Sequence, residues 1–274
     1  MQWDKVKNVL IVILAAVNVF LLANLGLRIG QEQERKAALE DSVRTLAAEY
    51  GVTIADAFDL PADKSLPELS IDRSRPDEEA AAAAMLGDDA ERTEQDDGTV
   101  MFESARGTVR WAADGRVEGS FQTGETAPQD GNDTLRLARR LLADWGIPIR
   151  DAQLDTDGLT ATLRGSAAGL PVFNRTLTLR FDGAGGVSLD GRWSFGTPYT
   201  TVRGSGVMCS AADALLEFVS RRTAAAEIRS MEAGYRLETD SSRRLQLTPT
   251  WKIVTDFGEY LVDCDKKTVI DQEN

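Results

Sequence analysis

Nineteen consecutive residues, Val9 to Leu27 in "VLIVILAAVNVFLLANLGL", carry no charge, and no other feature of the chain narrows its architecture so much. At about 1.5 Å per residue a helix of that length reaches about 28 Å, close to the ~30 Å hydrocarbon core of a bilayer. The spacing therefore predicts a transmembrane helix over 9–27 rather than a buried core helix. The following "LLANLGLRIGQEQERK" passes from Leu and Gly into charge without a small-x-small cleavage site, so an uncleaved anchor is expected. Residues 1–8, with Lys5 and Lys7, read as a short cytoplasmic tail, and everything after the span reads as lying outside the cell. Asn18 and Asn24 interrupt the apolar run. An amide in hydrocarbon gains by bonding to a partner helix, so both residues are candidate contacts to other membrane helices; Asn24, near the outer boundary, could instead reach water.

Charge and residue types exclude several chemistries. With 31 Lys and Arg against 44 Asp and Glu, the formal charge is −13, and such a surface repels nucleic acid. The chain holds no histidine, which excludes Ser-His-Asp and Cys-His catalysis and His-ligated zinc. Cys209 and Cys264 are its two cysteines. Outside the cytosol they could form one disulfide between the last helix and the last strand; two buried thiols that never pair are the open alternative. No catalytic residue, metal ligand or cofactor site is expected.

Beyond the span the chain falls into parts. Residues 28–51 read as a stalk helix, with Ala38, Leu39, Val43, Leu46 and Ala47 in helical phase and Gly51 as its stop. Residues 52–73 read as a loop-rich connector. Three similar units follow, each a helix leading into antiparallel strands: two within 74–196, the first extracytoplasmic part, and one in 197–274. The expected helix starts are Pro76, then Asn132 or Asp133, then Ser210. The expected fold class is α+β, an N-terminal transmembrane helix followed by repeated helix-plus-antiparallel-sheet units.

Motif-like stretches dissolve on inspection. "DTDG" at 155–158 would place Arg164 where a calcium loop needs a bidentate Glu. "FDGAGGVSLDG" joins two strands, not a strand to a helix, so it reads as a hairpin turn. "RGSGV" around Ser205 lacks both the nucleophile-elbow spacing and a base. A surface hydrolase with a carboxylate pair remains a third-ranked alternative, because 44 acidic residues nominate no particular pair.

The start "MQWDKVKNVLIVILAAVNVFLL", the segment "LPVFNRTLTLRFDGAGGVSLDGRWSF" and the ending "LTPTWKIVTDFGEYLVDCDKKTVI" resemble the YycI (WalI) family. That resemblance implies a single-pass membrane protein of low-GC Gram-positive type with its carboxy-terminal domain outside the cell. It implies no catalysis, but regulation of a sensor histidine kinase of the YycG (WalK) type together with a YycH-like partner, and so control of cell-wall homeostasis by a two-component system. The alternative is an extracytoplasmic module that senses a wall fragment or peptide through a groove or sheet edge, tethered by a passive anchor.

Overall fold

The computed structural model describes residues 17–18, 20–22, 34–150, 152–200, 206–221, 227–240 and 244–271. Residues 34–49 form helix α1. Val43 and Ala47, one turn apart, are buried, and Arg44 donates to the Ile54, Ala55 and Phe58 carbonyls, which fastens α1 to the segment after it. That segment is more than a connector. It supplies β1 (Thr53–Ile54), β2 (Lys64–Pro67) and β3 (Leu69–Ile71), and it buries Val52, Phe58 and Leu60. Strands of two to four residues are too short to print an alternating pattern on the sequence.

Helix α2 (Arg75–Leu86) starts after Ser74 with Pro76 in its first turn and stops at Gly87, whose φ is +100°. Ala81, Ala82, Met85 and Leu86 turn inward, and the alanines allow close approach to strands β4 (Glu91–Glu94), β5 (Val100–Ser104), β6 (Gly107–Trp111) and β7 (Arg116–Gln122). Helix α3 (Gly131–Asp144) is capped by Asp130, whose carboxylate accepts from the Asp133 amide at 2.9 Å. The cap is thus two or three residues earlier than Asn132 or Asp133; any short polar side chain of the run could serve, and backbone geometry decided among them. Thr134, Ala138, Leu141 and Leu142 form its buried stripe, facing β8 (Gln153–Asp157), β9 (Thr160–Ala167), β10 (Leu170–Phe181) and β11 (Gly186–Arg192).

The last stretch runs through β12 (Gly206–Cys209), helix α4 (Ala211–Arg221) and strands β13 (Glu227–Thr239), β14 (Leu245–Thr255), β15 (Glu259–Asp263) and β16 (Val269–Asp271). Ser210 Oγ accepts from the Asp213 amide at the start of α4. The disulfide between Cys209 and Cys264, with Cα atoms 5.1 Å apart, joins the β12–α4 junction to the turn after β15.

These strands do not form separate sheets. Among the described residues fourteen of them hydrogen-bond into one sheet, with the main path β16-β15-β14-β13-β10-β11-β7-β6-β5-β4, while β12 and β2 pair apart. The β4–β7 and β8–β11 meanders join through their last strands, β7 and β11, in antiparallel register from Gly186↔Gln122 to Arg192↔Arg116. Two pairings are parallel, β1 with β13 and β10 with β13. The expected α+β class of repeated units is therefore corrected: the fold is a large mixed sheet with few helices, about 25% of the described residues being helical. Hydrophobic alternation reveals a strand, but the unpaired N–H and C=O groups of its edge can pair with any neighbour, and packing chose the neighbours.

The expected membrane span also needs correction. No helix among the described residues is long and apolar enough to cross a membrane, which takes about 20 residues. Within 9–27 only Val17, Asn18 and Phe20 to Leu22 are described, helical and exposed; the rest, Asn24 included, lies outside the described residues.

Three apolar clusters hold the sheet. One packs α2 and α3 on the β4–β11 strands around Trp111, Leu142 and Leu179. A second packs α1 and α4 on β13–β15 around Phe218 and Trp251; Phe218 is fully buried, which is worth roughly 2–3 kcal/mol for a side chain of that kind. The third, with Val172, Tyr235, Leu237 and Leu247, lies where the two halves meet.

Candidate functional site

The join between the halves is built by an irregularity in β10. Against β9, Pro171 pairs with Ser166 and Thr176 with Arg164, so Val172 to Arg175 together face the single residue Gly165. Such a bulge bends its strand and re-aims its side chains. Here it sends four consecutive residues to four destinations. Val172 pairs with Tyr235 of β13. Phe173 lies under the Lys252 ammonium, 5.3 Å from ring centre. Asn174 clamps the backbone of Leu237, donating Nδ2–H to its carbonyl at 2.8 Å and accepting its amide at 2.7 Å. Arg175 turns inward.

Asn174 thus stands in for a strand partner where the two halves touch by one regular backbone pair. Asn174→Ala is expected to cost about 2 kcal/mol, two modest hydrogen bonds with their partners left buried. It should also speed hydrogen exchange at the Leu237 amide; unchanged exchange there would show that the clamp is idle.

Two concavities flank the bulge. The larger, about 640 Å³, lies between β8–β10 and β13–β15 and is lined by Arg164, Phe173, Glu232, Lys252 and Glu259, with Gly165 and Ser166 on its inner wall. Lys252 Nζ sits 3.9 Å from Glu232 and 3.7 Å from Glu259, and Arg164 pairs with Asp155. The smaller, about 210 Å³, shares Gly165 and Ser166 with the first and is lined also by Ala152, Arg175, Trp193 and Pro198.

Arg175 governs the smaller space. Its side chain is only 5% exposed. Guanidinium NH2 donates to the Ser194 carbonyl at 2.8 Å, and Cζ lies 4.3 Å from the Trp193 ring centre. Its Nε has no hydrogen-bond partner, and neither does Nε1 of Trp193, which lines the same space. Among the described residues no carboxylate pairs with it. Burial pushes its pKa down to about 10, so it stays cationic at neutral pH. Gly165 makes the fold possible here: a Cβ at that position would lie 2.8 Å from Arg175 Cδ.

Sequence reasoning passed over Arg175, although a signal existed. In "RTLTLRF" Arg175 shares its strand face with Leu177, Leu179 and Phe181, all buried; a charge in phase with a core stripe is uncommon and asks for a partner. The residues singled out from sequence are not gathered here. Cys209 and Cys264 bond to each other elsewhere, Asn18 is helical and exposed, and Asn24 lies outside the described residues. No group of three or more potential metal ligands occurs among the described residues.

No family model matches the chain, and no curated protein does. Among solved structures, an uncharacterized protein from Eubacterium rectale aligns at 10% identity and TM-score 0.46, over 81% of this chain and 90% of its own. The Bacillus megaterium YpeB C-terminal domain aligns at 9% identity and TM-score 0.34, over 75% of this chain and all of its own. Both are distant likenesses of form, below the level from which a shared fold follows.

Proposed function

We propose that this protein is a non-catalytic regulator working at the outer face of a cell membrane, where it biases a sensor histidine kinase of the YycG type together with a YycH-like partner. The named partners come from the sequence resemblance alone. The single structural observation that supports regulation by contact is the face of α1. Leu39, Leu46 and Tyr50, spaced seven and four residues apart, form one stripe and are 42%, 38% and 47% exposed. They adjoin Val43 and Ala47, which are buried against the protein itself. The apolar face of this helix is wider than the surface it covers, as in helices that dock a partner. This reading assigns the contact to the exposed apolar stripe of α1.

A photo-crosslinking residue at position 39 or 46 of the full chain, in its own cells, tests the reading. Adducts containing the kinase or the YycH-like protein are expected, to be lost in Leu39→Glu with Leu46→Glu, with kinase output shifted several-fold. Adducts with neither, and unchanged output in the double variant, would refute it. A second reading, an outer ligand-binding module, is favoured by the paired concavities at the β10 bulge.

A further inference from the structure

We infer that the chamber around Arg175 binds the carboxylate of a small organic ligand whose body extends into the adjoining 640 Å³ cleft. This deepens the second reading above, on which it rests, and is independent of the kinase reading.

An inward-facing guanidinium in a chain of net charge −13 had many acidic side chains to choose from, yet no described carboxylate reaches it. Among the described residues its charge has no carboxylate partner, and beside it lies a space of about 210 Å³, a volume that suits a carboxylate with a few further atoms. Two buried polar atoms on residues that line this space, Arg175 Nε and Trp193 Nε1, lack hydrogen-bond partners. Buried polar groups are bonded in native proteins with few exceptions, and two unbonded donors at one concavity call for an acceptor. A planar guanidinium fits a carboxylate by two parallel N–H···O bonds, and the Trp193 face at 4.3 Å holds its plane fixed. The opposing acidic surface discriminates against highly charged anions while a monocarboxylate still gains from a desolvated cation.

The shared wall of Gly165 and Ser166 gives the ligand its direction. With the carboxylate at Arg175, the remainder enters a cleft offering the Phe173 ring and the Lys252, Glu232 and Glu259 charges. That lining suits amide or methyl groups. Two sources of the same chemistry fit, a free organic acid and a peptide's C-terminal carboxylate.

Calorimetric titration of the full chain in detergent micelles distinguishes them, with four probes: acetate, N-acetyl-trialanine, its C-terminal amide, and inorganic phosphate. The free-acid peptide is expected to bind saturably, at least tenfold tighter than the amide and than phosphate. Acetate binding as tightly as the peptide would still support the carboxylate site and assign it to free organic acids. Arg175→Gln should abolish binding, with circular dichroism and the Cys209–Cys264 bond confirming that the variant folds. Thr197→Trp gives a second check, because Thr197 is exposed and lines the chamber; it should weaken binding at least tenfold without touching the core. Equal affinity for acid and amide, tighter phosphate binding, or binding unaffected by both variants would overturn the carboxylate assignment while leaving a binding module. No heat with any probe would overturn the inference, and the kinase reading would stand untouched.

Discussion

Glu78→Ala is expected to destabilise the protein by about 3–5 kcal/mol, the usual cost of stripping one partner from a buried ion pair. Glu78 sits in the first turn of α2 with its side chain 4% exposed, and Arg73, 15% exposed, grips it with both arms, Nε to Oε1 at 2.5 Å and NH2 to Oε2 at 2.9 Å. The same guanidinium donates to the Gly98 carbonyl at 2.7 Å and the Trp111 carbonyl at 3.1 Å. One side chain thus ties the end of β3, the start of α2, the β4–β5 turn and the end of β6. Removing the carboxylate leaves the cation buried among carbonyls, with its desolvation uncompensated. The helix also loses a negative charge near its positive end, a smaller effect of under about 1 kcal/mol. Replacing both residues, Arg73→Met with Glu78→Leu, should cost less than Glu78→Ala alone, because no unpaired charge then remains. Urea unfolding followed by tryptophan fluorescence measures both. A loss under 1 kcal/mol for Glu78→Ala would show that water reaches the pair.

Cutting the Cys209–Cys264 bond should cost nearly as much, about 4 kcal/mol, from the loop entropy that a closure of 55 residues removes from the unfolded chain. Both cysteines are buried, at 0% and 3% exposure, in the cluster that packs α4 on β14 and β15. Two consequences separate the bond from mere packing. Cys209→Ala with Cys264→Ala should lower stability by about that amount relative to the oxidised protein, yet fall close to the reduced wild type. Dithiothreitol should reduce the bond slowly in buffer and quickly in urea, since the sulfurs are shielded until the domain opens. Equal stability of the oxidised protein and the double alanine variant would mean that packing alone holds this corner. A bond of this kind persists outside the cytosol, in keeping with the proposed location.

How much was legible beforehand varies by element. Helix α3 was plain in "TLRLARRLLADWG", because Ala138, Leu141 and Leu142 recur at the helical period. The hairpins around "ADG" and "FDGAGG" announced themselves through turn residues; Asp182 bonds the Ala184 and Gly186 amides as such a turn requires. The connector 52–73 was opaque, since β1, β2 and β3 are stitched to β13, β12 and β14 from more than 120 residues away. No local pattern encodes such partners. The candidate site was hidden for the same reason: Gly165, Arg175 and Lys252 lie on three different strands and Trp193 just past the end of β11, and the bulge that gathers them has no signature apart from a charged residue in phase with Leu177 and Leu179.

What the sequence by itself determined was the class of chemistry and the identity of the elements. A chain without histidine, with two cysteines and a surplus of carboxylates, had its excluded reactions written in its composition, and the periods of 3.6 and 2 marked most helices and strands. What only the tertiary structure decided was association: that fourteen strands share one sheet, that Cys209 meets Cys264, and that Arg175 ends up buried beside Trp193 with no carboxylate partner among the described residues. The physical reason is range. Periodicity and turn chemistry act over a few residues, whereas edge pairing, disulfide closure and burial of charge are settled by which distant surfaces exclude water together.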